Sequence, residues 1–142
     1  MKDRKEHIIG EGILEKDTMN DKNEGKIAQQ LFLNVNQTLE DIIKNHLEII
    51  ILDILYTKPM SGFELIKEIF LKYNVLLSQG TVYPYLYSLK AKGILQIEFK
   101  NRDMRTKIYS PSVNGRQIIE TKLIEFIEAE EYILNSIKKN WI

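Results

Sequence analysis

Apolar positions recur along this chain at helical spacing over most of its length and alternate strictly in one short stretch. That pattern predicts a series of helices with one hairpin between them. Residues 1 to about 25 are polar, with Ile8, Ile9, Ile13 and Leu14 as isolated apolar patches, and read as a flexible arm. Helical spacing begins between Glu24 and Leu33, carried by Ile27 and Leu31, and Asn34-Val35-Asn36 is expected to interrupt it. A further helix is expected from there, capped by Asn34 or Asn36, with Leu39, Ile42, Ile43 and Leu47 on one face. It can continue through Leu47–Tyr56, where apolar residues fall on every side, as in a helix buried all round. Lys58-Pro59 ends it.

Ser61-Gly62-Phe63-Glu64 has the form of a capping box, with Met60 and Leu65 at the staple positions. The helix it opens is expected to run to Tyr73 and to bury Ile66, Ile69, Phe70 and Tyr73. After Asn74-Val75-Leu76-Leu77, Ser78 can cap a third helix. Pro84 creates a conflict there. Propensity places a proline in the first turn, whereas a start at Ser78 puts Pro84 in the second turn and leaves the Gly80 carbonyl without its usual partner. The earlier start is preferred because Val82, Leu86 and Leu89 then share one apolar face. Gly93 is the natural residue after its end.

Leu95, Ile97 and Phe99 alternate with Gln96, Glu98 and Lys100, which predicts a strand with one buried face. The segment from Lys100 to Arg105 reads as a hairpin tip, Thr106–Ser110 as the returning strand, and Pro111 as its end. Ser112 or Asn114 then caps a helix from Val113 to Lys139, about 40 Å long at 1.5 Å per residue. The fold class is mainly α (α+β), and three helices followed by a hairpin is the order of a winged helix-turn-helix. The organisation expected is an N-terminal helical extension over 1–45, the winged helix over 46–111, and a C-terminal dimerisation helix over 112–142.

The formal net charge of zero conceals a segregation. Lys58 to Lys107 carry nine Lys/Arg against four Asp/Glu, while residues 1–57 carry seven against eleven and residues 108–142 four against five. A local excess of +5 around the third helix and hairpin attracts phosphates at short range. A chance fluctuation of solvated charge is the bland alternative.

At this point the motifs carry a family likeness. Ser61-Gly62-Phe63-Glu64-Leu65, Ser78-Gln79-Gly80-Thr81-Val82-Tyr83-Pro84-Tyr85-Leu86, Leu89 with Lys92-Gly93-Ile94-Leu95, and Tyr109-Ser110 before Gly115-Arg116 together resemble the PadR family of transcriptional regulators over residues 46–140. The Gly-Thr-x-Tyr-Pro core is specific, whereas Lys-Gly-Ile-Leu is common to many winged helices. Pro111-Ser112 departs from the family's usual Leu/Ile-Thr, and the N-terminal extension lies outside the family core. The resemblance implies a DNA-binding regulator, a repressor, that works as a homodimer built on the last helix.

Resemblance and charge together nominate Ser78, Gln79, Thr81, Tyr83, Pro84 and Tyr87 as facing DNA, with Lys90 at the rim and Lys100, Arg102, Arg105 and Lys107 in the wing. Hydroxyls and helix-start amides suit phosphate oxygens, and Gln79 can read a base edge. Thr81, Tyr83 and Tyr87 are expected to point outward and Tyr85 inward; the alternative is that the tyrosines only pack between helices. In the last helix Ile119, Leu123, Phe126, Ile133 and Ile137, widened by Ile118, Ile127 and Leu134, form a stripe longer than a small core can cover. It is expected to meet a second subunit, with cover by the chain's own N-terminal helices as the alternative. Phe126, Tyr132 and Trp141 are the residues expected to line a site for an aromatic or apolar effector.

Chemistry points elsewhere than to an enzyme. There is no cysteine, His7 and His46 are the only histidines, and neither a carboxylate cluster with metal-ligand spacing nor a phosphate-binding glycine loop occurs. No cofactor is expected. The longest apolar run is short for a membrane span, and no secretory leader is read at the N-terminus, so a cytoplasmic protein is expected. The partner expected is double-stranded DNA with a palindromic operator. The competing reading is a winged-helix module that binds proteins and has no DNA function.

Overall fold

The computed structural model describes residues 18–100 and 105–142. It contains α1 (Thr18–Asn45), α2 (Leu47–Thr57), β1 (Met60–Ser61), α3 (Gly62–Tyr73), α4 (Gln79–Ala91), β2 (Leu95–Phe99), β3 (Lys107–Pro111) and α5 (Val113–Trp141). The order is that of a winged helix with long helices before and after it. The flexible arm expected up to residue 25 falls, for residues 1–17, outside the described part. From Thr18 the chain is helical.

α1 differs from the expectation, since it is one uninterrupted helix through Asn34-Val35-Asn36. The polar side chains that favour a break are engaged along the helix instead. Gln30 Nε2 donates to Asn34 Oδ1 at 3.0 Å, and Thr38 Oγ1 donates to the Asn34 carbonyl at 2.9 Å. Local side-chain bonds of this kind remove the competition with the backbone that makes Asn a helix breaker. The break comes at His46, which has φ −119° and ψ 30° and separates α1 from α2.

α2 is the centre of the core. Leu47, Ile51, Leu52, Ile54 and Leu55 are buried, as its all-round apolar pattern predicts. Each such side chain withdrawn from water contributes on the order of 1.5–3 kcal/mol. Around it pack Leu65, Ile66 and Ile69 of α3, Val82, Leu86 and Leu89 of α4, Ile94, Leu95 and Tyr109 of the hairpin, and Ile119 of α5. Phe70, expected in this core, is exposed, and Tyr73 is half-buried. α3 needs only the Leu65/Ile66/Ile69 edge to reach α2, and Phe70 lies beyond that edge.

The helix caps follow the sequence closely. Ser61 Oγ accepts from the Glu64 amide at 3.1 Å, and Ser78 Oγ accepts from the Thr81 amide at 3.2 Å. Asn74 ends α3 in the left-handed region at φ 57°, its amide bonding the Phe70 carbonyl at 2.8 Å. α4 begins at Gln79 and holds Pro84 inside it, so the earlier start is the correct one. It closes in a Schellman turn: Ile94 N–H bonds the Leu89 carbonyl at 3.0 Å and Gly93 N–H the Lys90 carbonyl at 2.9 Å. Gly93 has φ +75°, which glycine adopts without strain.

The wing has one strand more than the pattern predicts. Met60-Ser61 pairs antiparallel with β3, giving the order β1-β3-β2 with Met60 opposite Tyr109. Two residues are too few to leave a periodic signal, and the same Ser61 also caps α3. Pro111 does not stop β3 short but is its last residue, opposite Leu95. Burial falls along β2 from Leu95 through half-buried Ile97 to exposed Phe99, so the hairpin leaves the core as it approaches its tip.

Candidate nucleic-acid interface

The cap at Ser78 determines what α4 presents. By fixing the first turn at Gln79 it turns Val82, Leu86 and Leu89 into the core and leaves Ser78, Gln79, Gly80, Pro84, Tyr87 and Lys90 exposed. No Asp or Glu occurs between Gln79 and Ala91. The positive end of the helix dipole therefore stands unopposed by its own side chains, the arrangement that accepts phosphate. The Ser78 hydroxyl is occupied, since it bonds both the Thr81 amide and Thr81 Oγ1, the latter at 2.9 Å. Its part in the site is to order the first turn.

The tyrosines divide differently from the expectation. Tyr85 is half-buried against the core, as expected, but so is Tyr83. The Tyr83 ring lies on Gly62, where an added β-carbon would stand 2.5 Å from Cε1. Of the three only Tyr87 is exposed, at 55%. Lys107 Nζ of the wing sits 5.8 Å from the centre of the Tyr87 ring, which ties the hairpin to α4 by a cation–π contact.

Between α4, the start of α3 and the wing lies a groove of about 320 Å³ lined by Phe63, Tyr83, Tyr87, Arg105, Lys107 and Tyr109, among others. Burial raises the Tyr109 hydroxyl above the ordinary tyrosine pKa, and the neighbouring Tyr87 and Tyr83 phenols add to that. The Tyr109 phenol is thus neutral at physiological pH, in a groove that Arg105 and Lys107 also line. Phe63 is the residue that the sequence pattern does not reveal. It is 66% exposed at the mouth of this groove, and its place in a capping box conceals it.

Of the other wing residues, Lys100 and Arg105 are exposed at the outer end of the hairpin, where the Lys100 amide bonds the Thr106 carbonyl at 3.2 Å. Arg102 lies outside the described residues. Thr81 is half-buried and its hydroxyl faces Ser78, so it does not point freely outward.

The last helix divides into two parts. Gly115 and Ile119 are buried in the protomer's own core, and Ile119, at 0% exposure, is thereby removed from the subunit contact expected for it. Leu123 packs half-buried against the same core. Phe126 is held edge-on by His46, ring centres 5.1 Å apart at 61°. Ile127, Ile133, Leu134 and Ile137 are exposed. The three aromatic residues expected at an effector site do not meet within the chain: Phe126 is half-buried, while Tyr132 and Trp141 are 78% and 79% exposed. Tyr132 and Trp141 are about two and a half turns apart, hence on opposite sides of α5.

Among the described residues no group of three or more His, Cys, Asp and Glu can hold a metal ion, and no helix is long and apolar enough to cross a membrane.

No curated protein matches the chain. Solved structures do. A transcriptional regulator from Clostridium thermocellum superposes with a TM-score of 0.58 at 22% identity, over 67% of this chain and 93% of that one. A PadR family transcription regulator from Clostridium difficile gives 0.56 at 22% identity, over 65% and 98%. A PadR-like transcriptional regulator from Bacillus cereus gives 0.56 at 21% identity, over 70% and 94%. At these identities the likeness establishes the winged-helix fold. The family itself is given by the sequence profile of the transcriptional regulator PadR-like family, which matches residues 51–121, half of the chain and the segment that builds α2 through the wing and the start of α5. The chain belongs to the PadR-like family and is a DNA-binding transcription regulator rather than an enzyme.

Proposed function

We propose that the protein is a homodimeric repressor that inserts α4 of each subunit into the major groove at the two halves of a palindromic operator. The observation that carries this reading is the face made by α4 and the wing. Gln79, Pro84, Tyr87 and Lys90 are exposed on α4, which has no acidic residue, and Arg105 and Lys107 of the wing line one groove with Tyr87, with exposed Lys100 farther along the hairpin. Gln79, first in the helix, is placed to read a base edge, while the wing lysines and Arg105 bind phosphates and hold the register. Ser78 and Thr81 act from behind by fixing the first turn, and Tyr83 by seating the second turn on Gly62. Arg102 belongs with the phosphate-binding group by its position in the sequence.

The dimer is supported by Ile127, Ile133, Leu134 and Ile137, exposed on one helix together with half-buried Phe126. An effector, aromatic or apolar, would bind between the subunits rather than within one. Phe126 and Trp141 share the inner side of α5, and Tyr132 would serve only from the outer side.

The test is a mobility-shift and footprinting assay on DNA upstream of the gene, across a range of salt, with wild type and Tyr83→Ala. The expected result is a footprint with two symmetric halves and a weaker complex for the variant. Wild-type protein with no sequence preference would favour the protein-binding winged-helix module instead.

A further inference from the structure

α1 is a 28-residue helix whose apolar side has no cover among the described residues. Ile27, Leu31, Phe32, Val35 and Ile42 are exposed, and half-buried Leu39 completes a stripe within an arc of roughly 140° at 3.6 residues per turn. A groove of about 350 Å³ runs along it between Leu31 and Ile42. With Gly25, Asn34, Val35, Asn36 and Thr38 in its length, this helix is a poor one by propensity, and helices of this kind owe their stability to packing of the apolar face.

We infer that the apolar face of α1 packs on the exposed half of α5 of a second copy of this chain, an inference that rests on the dimer proposed above. Three features select that occupant. The first is length. The α1 stripe from Ile27 to Ile42 spans about 22 Å and the exposed α5 stripe from Ile127 to Trp141 about 21 Å. The second is charge. Residues 123–137 carry Glu125, Glu128, Glu130 and Glu131 and no Lys or Arg. Glu130 lies within the stripe and Glu131 at its edge, so α5 laid on α5 alone brings carboxylates together. Residues 27–39 of α1 carry no charge and include amide side chains at Gln29, Asn34 and Asn36 that can donate to carboxylates. The third is continuity. His46, at the root of α1, touches Phe126 and lies 3.9 Å from Glu130. The two uncovered stripes thus begin at one place, halfway along α5.

The experiment is methyl NMR on the full chain in dimers of one labelled and one unlabelled subunit, with sedimentation of wild type and Leu31→Asp/Val35→Asp. The expected result is inter-subunit proximity between methyls of Ile27, Leu31 or Val35 and those of Ile127, Ile133 or Ile137, and a dimer weakened at least about tenfold in the variant. Inter-subunit proximity confined to α5, or a variant that dimerises like wild type, would overturn the inference and leave the dimer standing. Packing of α1 on α5 of the same subunit would overturn it as well. A wild type that stays monomeric at NMR concentration would remove the dimer reading and the inference together.

Discussion

Gly62 is the seat of Tyr83: a β-carbon at Gly62 would stand 2.5 Å from Cε1 and 3.0 Å from Cζ of the ring, with Leu86 Cδ1 at 3.3 Å. The start of α3 and the second turn of α4 are therefore pressed together with no room for one methyl group. Gly62→Ala forces the Tyr83 ring toward the groove, and overpacking of this kind costs about 1–3 kcal/mol. The expected outcome is a lower unfolding midpoint and weaker operator binding together. Tyr83→Ala in the Gly62→Ala background should restore the midpoint and not the binding.

Charge removal at Arg105 and Lys107 should act on all DNA sequences alike. Arg105→Ala/Lys107→Ala is expected to flatten the slope of log affinity against log salt by about 0.9 for each phosphate that is no longer neutralised. Lys107 also rests on the Tyr87 ring, so Lys107→Ala should loosen the hairpin from α4 as well as lower the salt slope. Titration at several salt concentrations measures the slope, and an unchanged slope would remove the wing from the interface.

Gly115 meets backbone rather than a movable side chain, since an added β-carbon would lie 2.0 Å from the Ile94 carbonyl oxygen. Gly115→Ala must separate α5 from the end of α4, at the upper end of the roughly 1–3 kcal/mol expected for overpacking. Urea denaturation should register a larger loss than for Gly62→Ala. Equal losses would mean that α5 yields more easily than its hydrogen bonds suggest.

Much of this architecture is legible in the sequence because its signals are local. Ser61, Ser78 and Ser112 each announce a helix start, Gly93 announces an end, and the alternation at Leu95–Phe99 announces a strand. What escaped depends on partners distant in the chain or on side chains that engage one another only once the helix has formed. β1 exists because Met60 and Ser61 meet Tyr109 and Ile108. Asn34 stays helical because Gln30 and Thr38 engage it. Tyr83 turns inward because Gly62 leaves space, and Ile119 belongs to the protomer because the core around α2 reaches it. In the site, residue types are readable and orientations are not. Phe63 carries no signal beyond its place in a cap.

Alkaline pH should expose the tyrosine cluster. Burial, with the Tyr87 and Tyr83 phenols beside it, raises Tyr109 above the usual value of 10.0. A phenol that ionises later in the folded chain than in the unfolded one contributes stability that is intact below about pH 10 and lost as pH rises through its folded value. Tyr56 is raised too, by its hydrogen bond to Glu120. Urea midpoints measured from about pH 9 to 11 should fall, and Tyr109→Phe should make that fall shallower.

The junction at Ile94 has a consequence for geometry at a distance. Its carbonyl accepts the Ser112 amide at 3.0 Å, and the Ser112 hydroxyl donates to the Gly93 carbonyl at 2.6 Å before capping α5. The end of α4 and the beginning of α5 are thus welded across the wing, with β2 and β3 carried as a side branch. In a dimer joined through its long helices, this weld is the ruler that sets how far apart the two α4 helices stand along DNA. Wing sequence can then drift and change grip without altering half-site spacing, whereas a change at Gly93, Ser112 or Gly115 recalibrates the distance itself.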